Sequence, residues 1–136
     1  MKNLSLAMIA FIAFMFTASK TEAQQSKPAV TASKPTIEVI QFHSEHRCVT
    51  CLKIEKLTKA TLTKSFPAIG FKLYNVDDKA NVKIAEKFEA AGTALYLYNP
   101  VTGKKKDLTD FAFMKAGDEK KFEAELKRFI EDFIKK

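Results

Sequence analysis

The chain has 136 residues, 23 basic against 16 acidic, 46% hydrophobic, with only four Gly and four Pro. This excludes collagen-like, low-complexity and wholly disordered chains and leaves room for one small domain plus extensions. Two cysteines exclude a disulfide-stapled miniprotein and a four-thiolate zinc ribbon, and the net charge of +7 is spread over the chain, so it reads as solvation rather than as a nucleic-acid surface.

Residues 1–23 have Lys2, an apolar run from Leu4 to Phe16 and a polar end at Thr21-Glu22-Ala23. That is the layout of a secretory signal peptide cleaved near Ala23. The run of about 13 residues is short against the roughly 20 that a membrane-spanning helix needs, which disfavours an uncleaved anchor. The expectation is a periplasmic or secreted protein with no membrane attachment after cleavage. Residues 24–35 (QQSKPAVTASKP) are polar and without period, a flexible linker. The folded domain is then residues 36–136.

Thr36–His43 is rich in β-branched and aromatic residues and predicts a strand. From Cys48 the pattern turns helical, with Cys51, Ile54, Leu57 and Thr61 on one face, and Pro67 ends the helix by Phe66. Gly70–Asp77 alternates and predicts a second strand. Asn81–Ala91 carries Val82, Ile84, Ala85 and Phe88 at helical spacing, with Gly92 as the stop. The uncharged run Thr93–Tyr98 predicts a central strand, Asn99–Gly103 a turn, and Lys106–Met114, through Leu108, Phe111 and Phe113, a further strand. Asp118 caps a last helix in which Phe122, Leu126, Phe129, Ile130, Phe133 and Ile134 form an apolar face. The order β-α-β-α-β-β-α predicts an α/β fold, three-layer α/β/α around a central mixed sheet, its last two strands an antiparallel hairpin.

Cys48-Val49-Thr50-Cys51 sits where the first strand gives way to the first helix. A helix N-terminus carries unpaired N–H groups and about half a positive charge, which stabilises a thiolate. Arg47 and a protonated His46 would add to that field. The three-residue step brings the two sulfurs within bridging reach, so Cys48 is the candidate attacking thiolate and Cys51 the resolving thiol.

This motif after the first strand, the strand–helix order, Asn75-Val76-Asp77 at the end of the second strand and the closing hairpin and helix resemble the thioredoxin family over nearly all of residues 36–136. The resemblance implies a thioredoxin fold and thiol–disulfide exchange with protein thiols and disulfides, through a redox-active Cys48–Cys51 disulfide and with no cofactor. It implies a monomer with a separate redox partner, and a substrate surface made by Val49, Thr50, Gly92 and Thr93. Four positions depart from the family. Arg47 stands where Trp usually precedes the first Cys, and Val-Thr replaces the usual Gly-Pro or Pro-His. Gln41 occupies the place of a buried Asp that relays protons to the inner thiol. Thr93 occupies the place of a cis-Pro that faces the motif. Charge at Arg47 and His46 and the neutral Gln41 all favour the thiolate, which predicts a pair more oxidising than cytosolic thioredoxin.

Other readings remain open beside it. One is an inert bridge, which so short a loop makes unattractive because it gains little from chain restriction. A second is capture or delivery of a soft metal or metalloid by Cys48 and Cys51, with His43 and His46 as further ligands. A third is a binding module of the same fold with no turnover.

Overall fold

The computed structural model describes residues 37–135. The expected signal peptide, the linker and Thr36 at the start of the first strand lie outside the described residues. Four strands and four helices follow in order: β1 (Glu38–His43), α1 (Val49–Ser65), β2 (Gly70–Asn75), α2 (Val82–Phe88, entered through a 3-10 turn at Lys79–Asn81), β3 (Ala94–Tyr98), β4 (Lys105–Asp107), α3 (Thr109–Lys115) and α4 (Glu119–Lys135). Among the described residues no helix is long and apolar enough to cross a membrane.

The sheet is mixed, in the order β2-β1-β3-β4. β1 runs parallel to β2, from Glu38 opposite Gly70 to His43 opposite Asn75. It runs antiparallel to β3, with Phe42 opposite Ala94, and β3 pairs antiparallel with β4. Strand alternation divides the core in two. Val39, Leu95 and Leu97 pack with Ile54, Leu57 and Leu62 of α1, Phe111 and Ala112 of α3, and Phe122, Leu126, Ile130 and Phe133 of α4. On the other face Ile40, Phe42, Tyr96 and Tyr98 pack with Ala85 and Phe88 of α2. β3 is covered on both faces, and all five of its residues are buried. That is why its sequence is a continuous apolar run rather than an alternation.

Several expected elements stand where the local pattern put them. α1 ends at Ser65, two residues before Pro67. Asp118 accepts the Lys121 N–H on Oδ1 at 3.1 Å and starts α4 as its cap. The turn before β4 is closed by Asn99, whose Oδ1 accepts from Val101 and Thr102 N–H and whose carbonyl accepts from Gly103 N–H, with Gly103 at φ 74°.

Three elements differ. The strand expected over Lys106–Met114 is only the three residues of β4, and Thr109–Lys115 is helical, so the order gains a helix before α4. The buried residues there are Leu108, Phe111, Ala112 and Ala116, while Phe113 is 41% exposed and Met114 73%. Burial thus follows a spacing of three and four, carried partly by alanines, and Phe113 does not share the face of Phe111. Asp107 Oδ1 accepts the Thr109 N–H at 2.8 Å where the strand hands over to the helix.

α2 stops at Phe88, not at Gly92. Glu89 takes a left-handed conformation (φ 56°), the Glu89 N–H reaches Glu86 O and the Ala90 N–H reaches Ala85 O. These bonds close the helix as a Schellman-type end without glycine. Val82 is exposed on this helix. β2 ends at Asn75 rather than Asp77, because the Asn75 side chain turns the chain by accepting the Asp77 N–H at 3.0 Å. On α4 the apolar face runs through Phe122, Leu126, Ile130 and Phe133, with Phe129 partly buried and Ile134 half exposed.

Candidate functional site

β1 delivers the chain to the N-terminus of α1, and the loop 44–47 between them is anchored to the end of β2. The Glu45 N–H donates to Asp77 Oδ2 at 2.6 Å, Asn75 Nδ2 donates to Glu45 Oε2 at 2.8 Å, and the Val76 N–H donates to His43 O. Asn75 and Asp77 therefore hold the approach to the motif, a contact across 30 or more residues.

Cys48 is the cap of α1, in extended conformation (φ −73°, ψ 157°), and its Sγ accepts the Cys51 N–H at 3.1 Å. A sulfur in that place faces the unpaired N–H groups of the first turn, and the first turn of α1 carries no acidic residue to offset their partial charge. Cys48 and Cys51 are joined as a disulfide, with Cα atoms 5.1 Å apart. The two halves differ in access. Cys48 is exposed, flanked by Val49 at 84% exposure, whereas Cys51 is 5% exposed and part of the core.

Arg47 and His46 separate in the structure. His46 is exposed in the loop. Arg47 is half-buried and forms an ion pair with Glu55, eight residues on, which also holds Lys59. Burial pushes the Glu55 carboxyl up, but the hydrogen bonds from Lys59 and Arg47 outweigh it and hold it below the usual carboxylate range. The Arg47 guanidinium is thus partly balanced by a carboxylate, and its charge reaches Cys48 reduced. The Glu55–Lys59 half is a four-residue helix spacing legible in the sequence; the Arg47–Glu55 half is not.

Cys51 is approached from two other elements. Gln41 of β1, fully buried, donates from Nε2 to Cys51 O at 3.1 Å, and its Oε1 has no partner among the described residues. Thr93, half-buried just before β3, has its Oγ1 at 3.1 Å from Cys51 Sγ. No peptide bond among the described residues is cis, so Thr93 reaches the motif through an ordinary trans link. Gly92 lies beside the loop, where an added Cβ would make ordinary contact at 3.6 Å with Ser44 Oγ. Val49 and Thr50 are exposed on the first turn of α1.

Of the metal-ligand candidates His43, His46, Cys48 and Cys51, the two cysteines are bonded to each other in this structure. No group of three or more His, Cys, Asp or Glu side chains suited to a metal ion occurs among the described residues. His43 lies at the end of β1 with Nδ1 at 2.9 Å from Ser44 O. A carbonyl only accepts, so Nδ1 carries the proton and the ring is fixed to the backbone beside it.

What the arrangement can do chemically is bring an accessible sulfur, favoured as a thiolate by the helix terminus, against a second sulfur shielded from solvent. No family model and no curated protein matches this chain.

Proposed function

We propose that this protein is an exported, thioredoxin-like thiol–disulfide oxidoreductase acting on protein thiols and disulfides through Cys48 and Cys51. The observation that carries the reading is the asymmetry of the pair: an exposed sulfur capping a helix and a buried one three residues on. The mixed sheet with helices on both faces and the motif at the β1–α1 junction support a thioredoxin-like fold. Export rests on the leader-like residues 1–23 and on the oxidising conditions in which such a pair cycles.

In the reducing direction the Cys48 thiolate attacks one sulfur of a partner disulfide. The partner S–S bond breaks, one partner sulfur leaves as thiolate and takes a proton from solvent, and a Cys48–partner disulfide forms. Cys51 then loses its proton and attacks Cys48 Sγ. The mixed bond breaks, the Cys48–Cys51 bond forms, and the second partner sulfur leaves and is protonated. Two electrons pass to the partner; the reverse sequence delivers a disulfide to a dithiol. The substrate would meet the exposed Val49 and Thr50 and the neighbouring Gly92. No cofactor takes part in this scheme, and the protein needs a separate redox partner to be recycled.

The test is Cys51→Ser, which leaves Cys48 able to attack but nothing to resolve the product. In extracts of the producing cell it should accumulate disulfide-linked partners that dithiothreitol releases, and Cys48→Ser should accumulate none. If Cys51→Ser traps no partner, the exchange function fails.

A further inference from the structure

Cys51 Sγ must carry negative charge in either direction of exchange, when it attacks Cys48 and when it is displaced from it. It does so while 5% exposed, away from the water that would solvate the charge. A buried charge is costly unless a donor meets it. The groups around this cysteine divide the task unequally. Its own N–H points to Cys48 Sγ, and the Gln41 amide is directed to its carbonyl. The side-chain donor on the sulfur among the described residues is the Thr93 hydroxyl, at 3.1 Å.

Thr93 is placed by the sheet, not by α1. Ala94 pairs with Phe42 in the register of β1 and β3, which sets Thr93 one residue beyond the pair, beside the end of β1 where the chain enters the motif. The hydroxyl is therefore positioned from β3 and not from the helix that carries the two sulfurs. A disulfide sulfur is a weak acceptor and a thiolate a strong one, so the bond tightens as charge develops, which is the condition for lowering a barrier rather than only binding the ground state. A hydroxyl can also rotate to accept from a Cys51 S–H, so the same oxygen serves both protonation states.

Resting on the exchange reading above, we propose that Thr93 is a catalytic residue that donates its hydroxyl hydrogen to Cys51 Sγ as that sulfur becomes a thiolate. When an external thiolate attacks Cys48 Sγ, a new S–S bond forms there and the Cys48–Cys51 bond breaks. The electron pair goes to Cys51 Sγ, and Thr93 stabilises it without giving up its proton. When Cys51 later attacks, the same bond holds the thiolate until the pair re-forms.

The experiment measures reduction of the disulfide in the full chain by excess dithiothreitol, a probe that needs no physiological partner. Thr93→Val removes the hydroxyl and keeps the shape; Thr93→Ser keeps the hydroxyl; Thr93→Ala gives the comparison again if valine disturbs the fold. The valine and alanine variants should be reduced about tenfold more slowly, the size expected for one hydrogen bond to a charged group. The serine variant should stay within about threefold of wild type, since it keeps that bond. In chains carrying Cys48→Ala, the lone Cys51 thiol, followed by ultraviolet absorbance of the thiolate, should titrate at higher pH with Thr93→Val than with Thr93→Ser. Equal rates for wild type and the hydroxyl-free variants, or a serine variant as slow as they are, overturns the proposal. Slow valine and alanine variants with a serine variant near wild type, together with a Cys51→Ser chain that traps nothing, would instead overturn the exchange function and leave the role of Thr93 on the sulfur standing.

Discussion

Arg47, in the loop before α1, is tied to Glu55 of that helix, eight residues on, instead of standing free beside Cys48. The pairing puts a carboxylate into the electrostatics of the motif that adjacency in sequence alone does not reveal. It also divides the factors acting on the Cys48 thiolate. The helix N-terminus acts undiminished, because the first turn has no acidic residue. The neutral Gln41 adds no opposing charge, and Arg47 contributes only what Glu55 leaves.

The pair should be more oxidising than thioredoxin, with a midpoint above roughly −270 mV on equilibration with glutathione. Glu55→Gln releases the Arg47 charge, stabilises the Cys48 thiolate and should raise the midpoint further, by about 10–30 mV. Arg47→Ala should lower it. A midpoint unmoved by both changes would show that the pair does not act on the sulfur.

Glu55 should also make stability depend on acid. Its folded carboxyl titrates below the ordinary 4.5 because the bonds from Lys59 and Arg47 overcome the opposing effect of burial. A depressed carboxylate contributes stability above its unfolded value and loses it as pH falls through the folded value. The gap in thermal midpoint between wild type and Glu55→Gln should therefore be constant from about pH 7 to about pH 5.5 and close below about pH 4.5. A gap that persists unchanged in acid would assign it to packing.

Phe111 and Phe113 provide a direct test of α3. Were Leu108–Met114 a strand, both rings would lie on one face and both would matter. In the helix Phe111 is 7% exposed and stacks on Phe122 at 5.1 Å between ring centroids, while Phe113 is 41% exposed. Phe111→Ala should cost about 3–5 kcal/mol in denaturant unfolding and Phe113→Ala less than about 1 kcal/mol.

Glu89 holds a left-handed conformation at the end of α2 with its side chain in solvent. A residue with a Cβ is disfavoured there by about 1–2 kcal/mol, and glycine is not. Glycine also loses more chain entropy on folding, so Glu89→Gly should stabilise the protein by a net of about 0.5–1 kcal/mol, read as a higher denaturant midpoint with unchanged slope. A lower midpoint would mean that the glutamate side chain makes a stabilising contact.

The sequence by itself determined the features whose physics is local. Pro67 sets the end of α1, Asp118 caps α4, and the spacing of Phe122, Leu126, Ile130 and Phe133 marks the buried face of that helix. The uncharged Ala94–Tyr98 is legible as a strand covered on both sides, and the cysteine pair is legible at a strand-to-helix junction. Tertiary structure decided what depends on neighbours from elsewhere in the chain. Leu108 to Met114 reads as strand from Leu108, Phe111 and Phe113, and is helix because α4 and the sheet select which side chains are buried; the alanines that complete the stripe have little hydrophobic weight of their own. Glu89 ends α2 in a conformation for which its type has no preference. At the motif, the apolar spacing already sets Cys51 on the inner face of α1 with Ile54, Leu57 and Thr61, while the pairing of Arg47 with Glu55 is decided by the fold. The Thr93 hydroxyl, 42 residues from Cys51 in the chain, meets its sulfur because β3 pairs with β1 in one register. Spacing places two cysteines on one helical turn and Cys51 on its apolar face, but only packing decides what stands beside the buried sulfur.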